Sequence, residues 1–491
     1  MTRPISKRLG ATALATVLLS GCTMAPKYER PVSPVPSALP SGGAYGATQP
    51  AAIAAPDLAW RDFFHDPKLQ QVIQLALNNN RDLRVTVLNI AEAHAQYRIQ
   101  RAALLPHIGA NFDPTIEHLP ASVLGAESGV TTATTGAVGT AVSTSNQSVT
   151  IQTYEATLGV SNYELDLWGR VRSLSRQALE QYLATEEAQR AEQISLISQV
   201  ATAYVTYAAD LDRLNVAKQT VDADQNSVDI TTARANGGLA SDLDVRQAQS
   251  ALEQAKAGIA TYTTTVAQDV NALTLLVGAQ VPAELLPDPL QNNLVTLADV
   301  PAGVSSDVLL RRPDVMEAEH QLRGYNANIG AARAAFFPTI ALTGGGGSAS
   351  VSIGSLFGPA TGAWTFTPTV TLPIFAGGEN AANLRYAKAE KNVAIAQYEK
   401  AVQTAFREVA DALAQKGQIA DLVSANERET DAVSRSFGLS NARYTRGTDT
   451  YLNVLNSQVT LYSAQQNLIT ARLTRSTNLI DLYQALGGGV K

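Results

Sequence analysis

The chain carries one plan twice. Residues 81–108 align without a gap onto residues 313–340, pairing Asp82 with Asp314, Arg101 with Arg333, Pro106 with Pro338 and Ile108 with Ile340. Further on, residues 233–278 align onto residues 442–487, matching Arg234 with Arg443, Gly238 with Gly447, Leu243 with Leu452, Val245 with Val454 and Gln249 with Gln458. Any fold for this chain has to build two similar halves. The first half is the longer one. Its extra residues fall in a Thr-, Ser-, Gly- and Ala-rich stretch at about 119–148, which reads as a long surface loop.

Within each half the apolar period changes from helical to alternating and back. Ile194, Ile197, Ala201, Tyr204, Ala208 and Leu211 follow the three-then-four spacing of a coiled-coil seam, and Leu452, Leu455, Val459, Tyr462, Ile469 and Leu473 are expected to repeat it. Residues 171–235 contain neither proline nor glycine, so as one helix they extend roughly 100 Å at about 1.5 Å per residue. Gly237, Gly238 and Gly447 supply the breaks at which each long helix turns back into the next, 242–276 and 450–486.

The alternating segments are about ten residues long. Trp364, Phe366, Pro368, Val370, Leu372 and Ile374 interleave with four threonines and Pro373. Ile108, Ala110, Phe112, Pro114 and Ile116 interleave with polar residues, as do Tyr154, Ala156, Leu158 and Val160. A fourth strand from Thr339 is expected to be broken at Gly344, Gly345, Gly346 and Gly347. Such strands suit either a soluble sandwich with one wet face or a membrane β-barrel, apolar toward lipid and polar toward a lumen. Four strands cannot close a barrel, and lipid does not tolerate open edges. Three copies supply twelve strands, enough for an aqueous passage, whereas two supply eight, whose interior side chains fill.

The N-terminus favours the membrane reading. Arg3, Lys7 and Arg8 precede a short apolar run, residues 9–19, which is too short to span a bilayer and reads as an export signal. Leu19, Ser20, Gly21 and Cys22 resemble the bacterial lipobox, in which the cysteine becomes the lipidated N-terminus, and Cys22 is the chain's one cysteine. Thr23 stands where an aspartate commonly retains such lipoproteins at the inner membrane, so the implied address is the outer membrane. Seven prolines between residues 26 and 56 exclude a helix or central strand there, so the segment is expected to be an extended tether. The balance of 37 basic against 43 acidic residues excludes a nucleic-acid footprint.

Taken together these residues resemble the outer-membrane factors of tripartite efflux pumps, the TolC-like and OprM-like outer-membrane efflux lipoproteins. The resemblance is carried by Trp60, Phe63, Asp66, Pro67 and Leu69 ahead of Asn80, Asp82 and Leu83; by Leu165, Asp166, Leu167, Trp168, Gly169 and Arg170; by Asp307, Leu309, Leu310, Arg311, Arg312, Pro313 and Asp314; and by Arg443, Tyr444 and Gly447 with Leu482, Tyr483, Ala485, Leu486 and Gly487. It implies a mixed α/β membrane protein: a homotrimer with a 12-stranded transmembrane β-barrel, four strands per chain, continued by a long periplasmic α-helical barrel built from two internal repeats. It implies a passive conduit exporting drugs and toxic compounds, with a periplasmic adaptor and an inner-membrane transporter as partners. No enzyme activity and no cofactor beyond the lipid on Cys22 are expected. The expected organisation is a signal peptide (1–21), a lipidated proline-rich tether (22–56), repeat 1 (57–280, with a β-hairpin at about 107–166 and a long helix pair at 170–276), an equatorial connector (281–305) and repeat 2 (306–487, hairpin at about 339–375, helix pair at 379–486).

No catalytic constellation competes with this reading. Glu317 and His320 form one Glu-x-x-His, but the repeat-equivalent of His320 is Leu88, and a di-iron bundle needs two such motifs. The four consecutive glycines are not followed by Lys and Ser or Thr, so they are no phosphate loop. In the family an apolar ring and an acidic ring commonly follow the turn glycine. The matching positions are Leu452 for the apolar ring and Asn453 and Asn456 where aspartates are frequent, so Asp449, Asp242 and Asp244 are the acids left near the tips. The resemblance places the periplasmic gate at Leu452, Asn453, Asn456 and Asp449, and the tip turns with adaptor contacts at Gly238, Asp242, Asp244 and Gly447. A coiled-coil adaptor or structural lipoprotein is the competing function, and four strands placed symmetrically in the repeats argue against it.

Overall fold

The computed structural model describes residues 23–45, 59–120, 148–290 and 305–489. The expected signal peptide, Cys22, most of the 119–148 loop and much of the connector lie outside those residues. In chain order the elements are α1 (Trp60–Phe63), α2 (Pro67–Asn79), α3 (Arg81–Ala102), β1 (Ile108–Leu119), β2 (Val149–Glu164), α4 (Arg170–Asn236), α5 (Asp242–Val277), α6 (Pro313–Ala334), β3 (Thr339–Ser350), β4 (Gly362–Thr371), α7 (Glu379–Thr445) and α8 (Tyr451–Ala485). Helices α4 and α7 are 67 residues each. The chain forms two compact units, each drawing on both repeats: residues 1–28, 95–179 and 324–390 in one, residues 29–94, 180–323 and 391–491 in the other.

The first unit holds one antiparallel sheet in the order β1-β2-β3-β4. Its register collects the alternating residues onto common faces. Phe112 lies opposite Ala156, Leu158 opposite Gly346, and Gly346 opposite Trp364, so the apolar positions of β1, β2 and β4 share one side. Asn111 opposite Thr157, Thr157 opposite Gly347 and Thr343 opposite Thr367 build the polar side. Pro114 and Pro368 both sit in the edge strands β1 and β4, where a missing N–H breaks least of the ladder.

Two strand expectations are corrected. β3 runs unbroken through Gly344 to Gly347, because the neighbouring backbones come too close for side chains there. A Cβ on Gly345 would stand 3.1 Å from the Leu158 carbonyl oxygen, and one on Gly344 would meet the Phe366 ring at 3.2 Å, so that ring covers the glycine. At the other end, β4 stops at Thr371, leaving Leu372 and Ile374 past the strand, on either side of Pro373, which has no N–H for the ladder. A bulge between Val160 and Tyr163, with Asn162 at φ +53°, shifts the β2–β3 register. Near the strand starts, Trp168 donates from Nε1 to the Pro338 carbonyl (2.8 Å) and stacks on Phe337, and Tyr163 donates to the Leu104 carbonyl.

The tether expectation is corrected for residues 23–45, which lie fastened along the body in both units. In the first, Arg333 donates to the Met24 carbonyl (3.0 Å) and Asn326 to the Pro26 carbonyl (2.8 Å). In the second, Arg30 and Arg323 both grip the buried Glu319 carboxylate at 2.7 Å, which holds that carboxyl below its ordinary range despite its burial. Ala38 bridges to Ser305 and Leu39 is buried. Prolines exclude helix, but they leave the carbonyls of an extended strap free to accept.

The second unit carries the main apolar core. Asp66 caps α2 by accepting from the Lys68 amide, with Pro67 at the first helical position. Leu69, Val72, Ile73 and Ala76 of α2 then pack on the expected α4 seam, where Ile194, Ile197, Ala201, Tyr204 and Ala208 are buried. Arg312 is buried with its charge matched by Asp314 and Glu408 at 2.8 Å each, and it caps α8 through the Ala485 carbonyl. The expected α8 seam is corrected. Its first turns bury Tyr451, Val454, Gln458 and Ala464 while Leu452 and Val459 face outward, whereas the expected Ile469 is buried and Leu455 and Leu473 pack on buried clusters.

Candidate functional site at the helix reversals

Helices α4 and α7 end by the same device. Leu239 N–H reaches back to the Arg234 carbonyl and Thr448 N–H to the Arg443 carbonyl, with Gly238 at φ +71° and Gly447 at φ +77°. This is the terminating motif that demands a left-handed residue, and it explains glycine at both repeat-equivalent positions. The helices that follow start differently. At α5, Ser241 and Asp244 form a reciprocal capping box, so the Asp244 carboxylate is committed to the Ser241 amide and hydroxyl. Asp242 is highly exposed, 3.7 Å from Arg246.

At α8, Thr450 makes no side-chain cap, and Asp449 serves instead. Its Oδ1 accepts from the Thr450 amide (2.9 Å) and from Asn453 Nδ2 (2.6 Å), and Arg443 stands 3.3 Å away. Those partners, Asn453 first, lower the Asp449 pKa and keep it ionised. The four expected gate residues thus divide. Asp449 and Asn453 are bonded to each other and hold the turn, whereas Leu452 and Asn456, one helical turn apart, share the outward face with Val459. Leu452 is 50% exposed and its repeat-equivalent Leu243 is 65% exposed, so the repeat presents an unburied leucine at both reversals.

Sequence reasoning missed how the two reversals are joined. Arg234 of α4 donates to the Tyr444 carbonyl (2.7 Å) and lays its guanidinium 4.7 Å from the Tyr444 ring centre, which in turn packs on Tyr451 at 5.5 Å. Tyr444 and Tyr451 are buried. The signal was present as the Arg234/Arg443 repeat pair and as Tyr444 in the family pattern. Their spatial meeting was not.

His320 is engaged with Glu180 at 2.8 Å. Among the described residues there is no cluster of potential metal ligands, and no helix is long and apolar enough to cross a membrane.

Comparison with known proteins supplies a context for this geometry. The sequence profile of the family described as outer membrane efflux protein matches residues 72–279 and 304–488. The chain is 45% identical over 486 residues to the toluene efflux pump outer membrane protein TtgC of Pseudomonas putida, covering 99% of this chain and 96% of that one. Among solved structures it is similar to a membrane protein from Pseudomonas aeruginosa, with a TM-score of 0.84, 39% identity, and 95% and 98% of the two chains covered. It is similar also to the open state of the MtrE outer membrane channel of Neisseria gonorrhoeae, with a TM-score of 0.82, 38% identity, and 96% and 99% covered.

Proposed function

The chain belongs to the outer membrane efflux protein family and is an outer-membrane efflux channel, and from that premise we propose that it works as a lipid-anchored homotrimer, the last segment of a tripartite pump. The observation that carries the trimer is the sheet. Among the described residues β1 and β4 are unpaired edges, and both faces are open, one apolar and one polar. In lipid every strand edge must be paired, so β4 of one copy meets β1 of the next, and three copies close twelve strands around an aqueous lumen. Purified protein in planar bilayers should conduct ions as a trimer. Conductance from monomers, or none from trimers, would refute the reading.

The repeat supports the same assembly. Helix α6 is well buried through Val315, Leu322, Ala327, Ile329 and Ala331, and α4 covers it where His320 meets Glu180. Its repeat-equivalent α3 buries Leu83 alone and exposes Val85, Leu88 and Ile99. The helix equivalent to α4 is α7, of the same length, so α7 of a second copy is the cover that α3 lacks. Transferring the Glu180–His320 contact by the repeat pairs Leu88 with Ala389 of the neighbouring copy, and both are exposed in the single chain. Cysteines placed at Leu88 and Ala389 should form intermolecular disulfides that convert monomer to covalent trimer on non-reducing gels, given the usual Cα separation of about 4.4–6.8 Å. A wholly monomeric ladder under oxidation would exclude this pairing.

The anchor rests on the lipobox at Cys22, and the strap bonded through Met24 and Pro26 begins two residues beyond it. Several acyl chains hold a protein to a membrane where a single myristoyl chain is marginal. Radioactive palmitate is expected to label the wild type and not Cys22→Ser. An unlabelled wild type sinks the anchor, whereas Cys22→Ser that still reaches the outer membrane fits a barrel that is itself embedded. The reversals at Gly238, Asp242, Asp244 and Gly447 are the surface offered to a periplasmic adaptor, which passes compounds on from an inner-membrane transporter.

A further inference from the structure

A cavity of about 350 Å³ lies between α4, α5 and α8, below the reversals, and the conduit role makes no use of it. Its existence follows from small residues. Ala251, Ala255 and Gly258 line it from α5, whereas the repeat-equivalents of Ala251 and Gly258 are Thr460 and Asn467, which occupy more space. A Cβ on Gly258 would find Ala217 and the Tyr462 hydroxyl no nearer than 3.9 Å, so nothing but the missing side chain keeps the space open.

The polar lining includes the donors Gln254, Thr261, Tyr262 and Tyr462, but Asp224 and Gln458 bring two acceptors together. Asp224, only 2% exposed, lines it from α4 and accepts from the Gln458 amide nitrogen of α8 at 2.5 Å. That bond turns the Gln458 amide toward the carboxylate and leaves its own carbonyl oxygen buried with no partner. Two acceptors therefore meet in a mostly buried contact with no ion pair to either among the described residues, while Tyr262 and Tyr462 add aromatic surface to the lining. The Thr220 hydroxyl is already spent on the Val216 carbonyl. Burial pushes the Asp224 pKa up, the direction expected of a carboxylate lacking a positive partner.

We propose that this cavity is a binding site for a small organic cation, an aromatic or aliphatic body carrying a primary ammonium or amidinium group, with the cation hydrogen-bonded to Asp224 and Gln458 and the body against Tyr262 and Tyr462. The size falls within the usual range of small-ligand pockets, about 300–1,000 Å³. The site depends on the fold of one chain and stands whether or not the channel reading holds.

The test uses the purified full-length protein in detergent and the fluorescent probe 1-naphthylmethylammonium, with 1-naphthalenemethanol as its neutral partner of the same shape. Saturable binding of the cation is expected, and the alcohol should bind about tenfold more weakly or worse, as a charge-assisted hydrogen bond implies. Asp224→Asn, which can still accept from Gln458, should weaken the cation by a similar factor and leave the alcohol unchanged. Gly258→Leu should abolish both by filling the cavity. Equal affinity for cation and alcohol, unchanged binding in Asp224→Asn or Gly258→Leu, or no saturable binding to the wild type would each overturn the proposal.

Discussion

Leu452→Ser is expected to raise the resting conductance of the reconstituted channel by about an order of magnitude, corresponding to about 1.4 kcal/mol off the barrier to ion passage. The substitution leaves the core untouched. Leu452 and Asn456 lie on the open face of α8, while Tyr451, Val454 and Gln458 hold the helix from the opposite face. In the proposed trimer one substitution changes three residues around one axis, and a ring of leucines at a narrow point hinders ions by excluding water. Asn456→Asp adds three charges one turn further on and should strengthen cation preference and block by divalent cations. Arg234→Ala is the informative control, because it removes the bond to the Tyr444 carbonyl and the stack on its ring without altering the open face. If Leu452→Ser conducts like wild type while Arg234→Ala opens the channel, closure resides in the link between the reversals and the apolar ring is misplaced.

How much of this was legible depends on the range of the contacts. The alternation in β1, β2 and β4 announced a sheet with unlike faces, and the observed register places Phe112, Leu158, Trp364 and Phe366 on one side. The glycine run of β3 misled, since glycine weakens a strand by its own propensity but suits one pressed between neighbours at Leu158 and Thr365. The capping box is written locally as Ser241 and Asp244 three residues apart. The α8 seam was misjudged because periodicity cannot tell an apolar face buried within the chain from one left for something else. Leu452, Leu455 and Val459 have the right spacing, yet the buried turn is Val454 to Gln458, whose polar amide is admitted by Asp224 from a helix more than two hundred residues earlier. The link of Arg234 to Tyr444 is equally remote in sequence, and neither residue advertises the other.

Phe366→Asp or Val370→Asp should sharply reduce the heat-resistant trimer recovered from the outer membrane, while Thr367→Asp and Thr369→Asp should leave it near wild-type levels. The four positions lie within five residues of one strand, on either side of Pro368, and all are exposed in the single chain, so burial does not distinguish them. Only the face does. Phe366 lies opposite Gly344 and Val370 opposite Ile340 on the apolar side, whereas Thr367 lies opposite Thr343 and Thr369 opposite Ala341 on the other. A charge on the lipid face of a barrel costs about 2–4 kcal/mol for Arg or Lys at the midplane and less for Asp. Three copies multiply that cost, and about 1.4 kcal/mol is already a tenfold change in population. On the lumen face the carboxylate stays hydrated, in a sheet whose strands β1 and β2 already carry Asp113 and Glu155 directly opposite each other on that side. The depth of the loss further separates Phe366 from Val370, since a charge close to the interface costs roughly 0–1 kcal/mol. Equal tolerance on both faces would mean that the sheet does not meet lipid, and equal loss on both would mean that the lumen is dry and packed. Either result would remove the ground for a water-filled trimeric barrel, because that barrel requires the two faces of β4 to meet different solvents.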